Sequence, residues 1–319
     1  MSTTTSKRIL SVGLVCLDTV NVVKTFPVED TDQRTVDQYQ ARGGNANNSA
    51  SVLAEIGERV EYFGTLAADT LELAVIERDW KAVGIIAENC PRHAGFLCPN
   101  SSIIVNESTG SRTIIHTNKD LPEPTPEEFE ALDLDLYSWI HFEGRNMENV
   151  KKMMAHVKKE RPALQFSVEV EKVGRGYEEF VPLADVVLLS KENAMAHGAK
   201  TMMGALEIFR PKLKAGGQLI CAWGDQGAAA IDGEGRKWSS PVFTPPQGIV
   251  DTLGAGDTFN GTVIGALSHG MHVRDAIRVG CKVAGAKVGQ RGFRGLRSVY
   301  QGCEEWAKLG RPFDCSQAI

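Results

Sequence analysis

The sequence predicts an α/β protein, a mostly parallel sheet alternating with helices, with a small separate β-sheet attached. Three observations carry this. Short apolar runs at 139–142, 166–170, 186–189 and 219–223 alternate with helical segments such as 147–159 and 202–213, and strands spaced by helices of that length imply βαβ units. The opening run RILSVGLVCL is apolar on both faces, as a central strand of a parallel sheet is. Two stretches break the alternation: the extended polar piece after Asp18, and 102–117, where β-branched runs flank a turn holding Ser108, Gly110 and Ser111.

In chain order, the first β-rich run ends at Gly13 and is followed by polar, extended sequence containing Pro27. Residues 45–56 place Ala50, Leu53 and Ala54 at helical spacing, with Gly57 as a natural stop. A short strand follows at 60–64. A helix over 69–83 sets Leu71, Val75, Ile76 and Trp80 on one face. After the alternation of 122–223, the register changes beyond Pro245 and Pro246. A helix then starts near 254, with Phe259, Val263, Ile264 and Leu267 as its buried face, and a further helical run covers 273–288. The expected division is a core of 1–17, 41–95 and 121–296, an attached β-sheet of 18–40 and 96–120, and a peripheral tail of 297–319.

A chain of 319 residues with 42% hydrophobic and 24% charged side chains can bury one large core. Its net charge of -5 argues against a nucleic-acid platform, which carries a basic stripe. The seven cysteines are odd in number and form no C-x-x-C pair. They read as free thiols of a reducing compartment, and no clustered ligands suggest a metal site. The N-terminus lacks the apolar segment of a signal peptide, and no run approaches a membrane span. A cytoplasmic protein without membrane contact is expected, and the N-x-S/T matches at Asn47, Asn100 and Asn106 read as chance.

The strongest chemical signal is DTLGAGDTF, 251–259. Gly254, Ala255 and Gly256 at a helix start leave backbone N–H groups open, a site for phosphate oxygens. Asp257 in the first turn can take a proton from an attacking hydroxyl, or it can simply cap the helix. In RGGNANNS, 42–49, Gly43 and Gly44 permit close approach of a ligand, and Asn45 and Asn48 share a helix face suited to a polyol. The bland alternative is a turn with an Asn cap. Asp18 lies just past the first strand, where open α/β sheets bind ligands, or it is a turn residue. Arg112 in the hairpin can clamp phosphate from a mobile flap, or it is merely solvated. His141 reads as a satisfied strand terminus beside Glu143, with Arg145 bracing the site. The sequence has no P-loop, protein-kinase H-R-D set, G-x-G-x-x-G turn or G-x-S-x-G elbow.

GGNANN followed at a distance by DTLGAGDTF resembles the ribokinase-like, pfkB-type carbohydrate kinases. Within them, GLVCLDTV, ESTGSRTI, WIHFEGRN, SVEVEK and CAWGDQGA resemble the branch that phosphorylates ketohexoses, over about 9–293. The resemblance implies a three-layer α/β/α core under a β-sheet lid, with sugar between them and ATP along the C-terminal half. It implies that Asp18, Gly44, Asn45 and Asn48 hold sugar hydroxyls, that Asp257 is the base, and that Gly254, Ala255 and Gly256 form the anion hole. Arg112 would reach the nucleotide phosphates, Lys191 would share that contact, and Gly224, Asp225, Gln226 and Gly227 would line the adenine side. Mg²⁺ would accompany ATP, K⁺ would bind near Asp251, and the lids of two subunits would interlock in a homodimer. Ser190-Lys191-Glu192-Asn193 departs from the N-x-x-E motif of many members. The expected reaction is ATP-dependent phosphorylation of fructose at O1. Another sugar or a nucleoside as acceptor, or a non-catalytic sensor of sugar or nucleotide, are the other readings.

Overall fold

The computed structural model describes residues 7–309. The chain opens with β1 (Arg8–Val12) and turns at once into β2 (Cys16–Val23) and β3 (Asp37–Gly43). Next come α1 (Asn45–Ile56), β4 (Val60–Phe63), the short β5 (Leu66–Ala67), and α2 (Leu71–Val83). Helix α2 starts two residues later than its periodicity suggests, because Thr70 Oγ1 accepts the Leu73 N–H at 3.2 Å and caps it there. Strands β6 (Arg92–His93), which pairs with β5, and β7 (Asn100–Asn106) precede β8 (Arg112–Thr117) and the one-and-a-half-turn α3 (Pro126–Glu130). Regular alternation follows: β9 (Tyr137–Phe142), α4 (Met147–Glu160), β10 (Gln165–Val170), β11 (Val186–Leu189), α5 (Lys191–Ala196), α6 (Met202–Phe209) and β12 (Gln218–Ala222). The chain then forms β13 (Ala228–Ile231), β14 (Lys237–Ser240), α7 (Ala255–Ser268), α8 (Val273–Val288) and α9 (Leu296–Gln301).

Eight strands form the main sheet in the order β14-β13-β12-β11-β10-β9-β1-β4. From β4 to β12 every pairing is parallel, and β13 and β14 add an antiparallel edge. Strand β1 faces two cores at once. Ile9 packs with α1, α7 and α8, whereas Leu10 and Val12 pack with α4 and α6. That alternation makes the three-layer α/β/α core, and it is why the strands read as continuously apolar. The hairpin β13–β14 has little sequence signal, since Ala228–Ile231 is mostly alanine, a weak strand former.

The second sheet is the lid, ordered β3-β2-β7-β8. It starts at Cys16 and returns at Gly43, so it reaches slightly further into the chain on both sides than 18–40. Asp18 is therefore inside a lid strand rather than in a turn. The expected peripheral tail is different too. Tyr300 and Trp306 are buried, and the fully buried Glu305 carboxylate accepts from Arg278 Nε at 2.8 Å and Lys282 Nζ at 2.9 Å. Apolar burial and this charge pair fasten 296–309 to α8, while 310–319 lie outside the described residues.

Strand order reverses at β1, between β9 and β4, which opens a crevice at the carboxyl ends of β1 and β9. The lid covers this crevice, and the N-termini of α1 and α7 both point into it.

Candidate active site

The turn into α1 needs both of its glycines. Gly44 has φ 93°, and a side chain there would overlap the Leu14 carbonyl; one on Gly43 would overlap the Asp18 carboxylate. The three asparagines divide their work. Asn47 is buried, accepts Trp80 Nε1 at 2.8 Å and donates to the Gly43 carbonyl at 3.1 Å, so it holds the turn itself. Two residues earlier, Asn45 Nδ2 donates to Glu169 at 2.9 Å and to Glu171 at 2.6 Å. One residue later, Asn48 Nδ2 donates to Asp257 Oδ2 at 2.8 Å.

Helix α7 is preceded by its cap residue Gly254, whose φ of 75° is left-handed. A Cβ on Gly254 would come within 2.8 Å of the Phe293 ring, so the turn is closely backed. The Ala255 N–H donates to the Thr252 carbonyl at 3.2 Å and the Thr258 N–H to the Gly254 carbonyl at 2.9 Å. Between them the N–H groups of Gly256 and Asp257 stay open at the positive end of the helix. Of the expected trio, Ala255 thus spends its N–H inside the turn.

Burial pushes the Asp257 carboxyl up to about 7, with the neighbouring charges of Glu171 and Glu143 adding to the shift. The Asn48 hydrogen bond and Lys172 oppose it. Glu169 is also held well above the ordinary carboxylate range, chiefly by burial, and its second oxygen accepts Asn260 Nδ2 at 2.7 Å. Glu143 anchors the crevice floor by accepting the N–H of Leu14 at 2.8 Å and of Ala46 at 3.2 Å.

The loop before α7 is fixed from below. Lys287 is fully buried, and its ammonium lies 2.9 Å from both the carbonyl and a carboxylate oxygen of Asp251. The other carboxylate oxygen accepts the Leu253 N–H at 2.9 Å. From above, Arg112 Nη1 of the lid donates to Thr252 Oγ1 at 3.2 Å. Asp18 is nearly buried in the lid, where its carboxylate accepts Cys16 Sγ at 3.3 Å.

These groups line one cleft of about 1280 Å³, more room than a single drug-sized ligand needs. Asp18, Gly44, Asn45, Asn48, Arg112, Lys191, Gly224, Asp225, Gly227 and Gly254 to Asp257 all face it. Lys191 also sits 5.7 Å from the centre of the Trp223 ring. Gln226 is the exception. It ends the tight turn Gly224–Gln226 with its side chain exposed and away from the cleft.

Residue reasoning gave no role to Glu169, Glu171, Lys172, Thr252, Lys287 or Phe293. Glu169 in β10 and Glu171 just past its end are two apart along the chain and both meet Asn45, and that spacing was an available signal. A lone lysine among the small residues of AGAKVG was a fainter one.

A lid closing over a crevice with an open helix N-terminus and a buried carboxylate defines a phosphotransferase of small alcohols. The chain belongs to the pfkB family of carbohydrate kinases, whose model matches residues 6–297, and it is an ATP-dependent carbohydrate kinase. It is 40% identical over 296 residues to ketohexokinase of Mus musculus, covering 91% of this chain and 99% of that protein. The fold is shared with ribokinase of Arabidopsis thaliana complexed with ribose and ATP, at TM-score 0.76, 16% identity and coverage of 95% of this chain and 98% of that one. It is shared equally with ribokinase of Cryptococcus neoformans in complex with ADP, at TM-score 0.76, 17% identity and coverage of 93% and 99%.

Proposed function

We propose that this chain is a cytoplasmic ketohexose kinase that transfers the γ-phosphate of ATP to O1 of fructose. The observation that carries the mechanism is the Asp257 carboxylate, held by Asn48 at 2.8 Å beside the open N–H groups of α7. The identity to a ketohexokinase supports the acceptor.

In this reading Asp18, Gly44, Asn45 and Asn48 hold the sugar, and lid closure excludes water that would otherwise take the phosphate. Asp257 accepts the proton of the attacking hydroxyl. The new O–P bond forms as the bond from the γ-phosphorus to the leaving ADP oxygen breaks. The N–H groups of Gly256 and Asp257 face the negative charge, and Arg112 and Lys191 supply cations. The apolar wall of Val242, Phe243, Ala284 and Val288, with Gly224, Asp225 and Gly227, receives the adenine.

Mg²⁺ bound to ATP would supply neutralisation of the phosphate charge; among the described residues no group of three metal-ligating side chains is assembled to hold it independently. K⁺ beside Asp251 fits less well, because the Asp251 carbonyl and a carboxylate oxygen already bind Lys287. The outer face of the lid leaves Ile115 58% exposed, an apolar surface that a second lid would cover in a homodimer.

The test is ADP release from Mg-ATP with purified protein and fructose, other ketoses, ribose and adenosine as acceptors. Fast release with fructose alone supports the reading. Faster release with ribose or adenosine transfers the same mechanism to another acceptor, and acceptor binding without turnover would indicate a sensor.

A base must be ionised to act. With its carboxyl near 7, kcat/KM is expected to fall about tenfold per pH unit below that value and to level off above it. A profile flat from pH 5.5 to 8 would count against Asp257 as the base.

A further inference from the structure

Side chains two apart on a strand share a face, so β8 presents Arg112, Ile114 and His116 together, and all three line the cleft. At about 3.4 Å per residue, Arg112 and His116 stand roughly 14 Å apart along the lid. Arg112 marks the phosphate end, because it reaches Thr252 of the loop that leads into α7. His116 therefore marks the opposite end, beyond the hydroxyl that receives the phosphate.

The cross-strand register places His116 among sugar-facing groups. Asp18 pairs with Ser101, and Ser101 pairs with His116, which makes one polar row across the inner face of the lid. In the next row Ile103 pairs with Ile114, and both line the cleft as an apolar strip suited to the C–H face of a sugar. The Ser101 hydroxyl lies 3.1 Å from His116 Nδ1. That contact engages Nδ1 of a ring that lines the cleft, so Nε2 is the nitrogen left for a ligand.

The charged groups around the ring are Asp18 and Glu143, which favour its protonation, and Arg145 and Lys172, which oppose it. Burial is the largest influence and, with Arg145 next, holds the imidazole below its ordinary range, so it is neutral near pH 7. A neutral ring offers one nitrogen as donor and the other as acceptor, the pairing a hydroxyl needs.

We propose that His116 is a further acceptor-binding residue, whose Nε2 bonds a hydroxyl at the end of the sugar remote from the transferred phosphate. This rests on the kinase reading above and deepens it: the lid measures acceptor length, favouring a six-carbon polyol over a shorter one.

The test is calorimetric binding of fructose and of the four-carbon ketose erythrulose to wild type, His116→Ala and His116→Gln, with the KM for ATP measured alongside. The lost hydrogen bond is expected to weaken fructose binding about tenfold in His116→Ala. Erythrulose binding and the ATP KM should stay within about twofold, and His116→Gln, which keeps a polar group at that reach, should recover most of the loss. Unchanged fructose binding in His116→Ala would overturn the proposal. Equal losses for both sugars would also overturn it, since they would mean a structural role in the lid. If wild type prefers another polyol, the ketohexose assignment fails, and the same comparison with that polyol and its shortened analogue still decides His116.

Discussion

Replacing Asp257 by Ala is expected to lower kcat by a factor of about 10²–10⁴, the scale of a lost general base. The helix it starts should persist, because α7 is capped by Gly254 and buried along most of its length. The variant Asp257→Asn adds a second, opposite readout. The folded carboxyl ionises near 7 instead of its ordinary 3.8, so between those values the folded state holds a proton that the unfolded chain has released. Stability contributed by this group therefore falls as pH rises from 3.8 to about 7 and stays low above it. Asn removes that penalty while still offering an oxygen to Asn48. At pH 8, Asp257→Asn should be nearly inactive yet melt above wild type, and at pH 4 the two should melt alike. Activity near wild type in either variant would dismiss Asp257 as the base. A melting temperature that drops at pH 8 would mean that the carboxylate is not strained by its burial.

The second large effect concerns Lys287. Changing it to Met removes the cation that is shared by the carbonyl and carboxylate of Asp251. Breaking one side of a buried pair costs about 3–5 kcal/mol, and the partial exposure of Asp251, 17% at its side chain, argues for the low end of that range. The loop 251–254 should loosen with it, since Asp251 also accepts the Leu253 N–H, so kcat should fall while sugar affinity holds. Denaturant unfolding of Lys287→Met, Asp251→Asn and the double variant would test the pairing. A double variant less damaged than the sum of the singles is expected, because it leaves no unpaired charge. Strict additivity would show that the two residues do not act together.

Much of this architecture was legible in the chain. Helices α1 and α8 run over 45–56 and 273–288, as their spacing predicts. Their apolar positions and the glycine after each are local signals, and tertiary contacts had no reason to override them. The hairpin β13–β14 was not legible, because a run of alanines commits to a strand only when β12 offers it a partner. The fate of the tail was equally hidden. Nothing adjacent in sequence shows that Glu305 meets Arg278 and Lys282, and burial of Tyr300 and Trp306 depends on a surface built some twenty or more residues earlier.

The candidate site divides in the same way. By itself the sequence determined which backbone could approach a ligand and where a helix would start: Gly43 and Gly44 before α1, and Gly254 to Asp257 at α7. Those are properties of residues next to one another, set by the absence of a Cβ and by open N–H groups. Only the tertiary structure decided which asparagine meets Asp257, that Ala255 spends its N–H within its own turn, and that Gln226 turns away. It also placed Lys287 under Asp251 and His116 in one row with Asp18. The Asn48–Asp257, Lys287–Asp251 and Asp18–His116 placements depend on separations of tens to hundreds of residues, across which charge, burial and strand register act only once the sheet has brought the segments together.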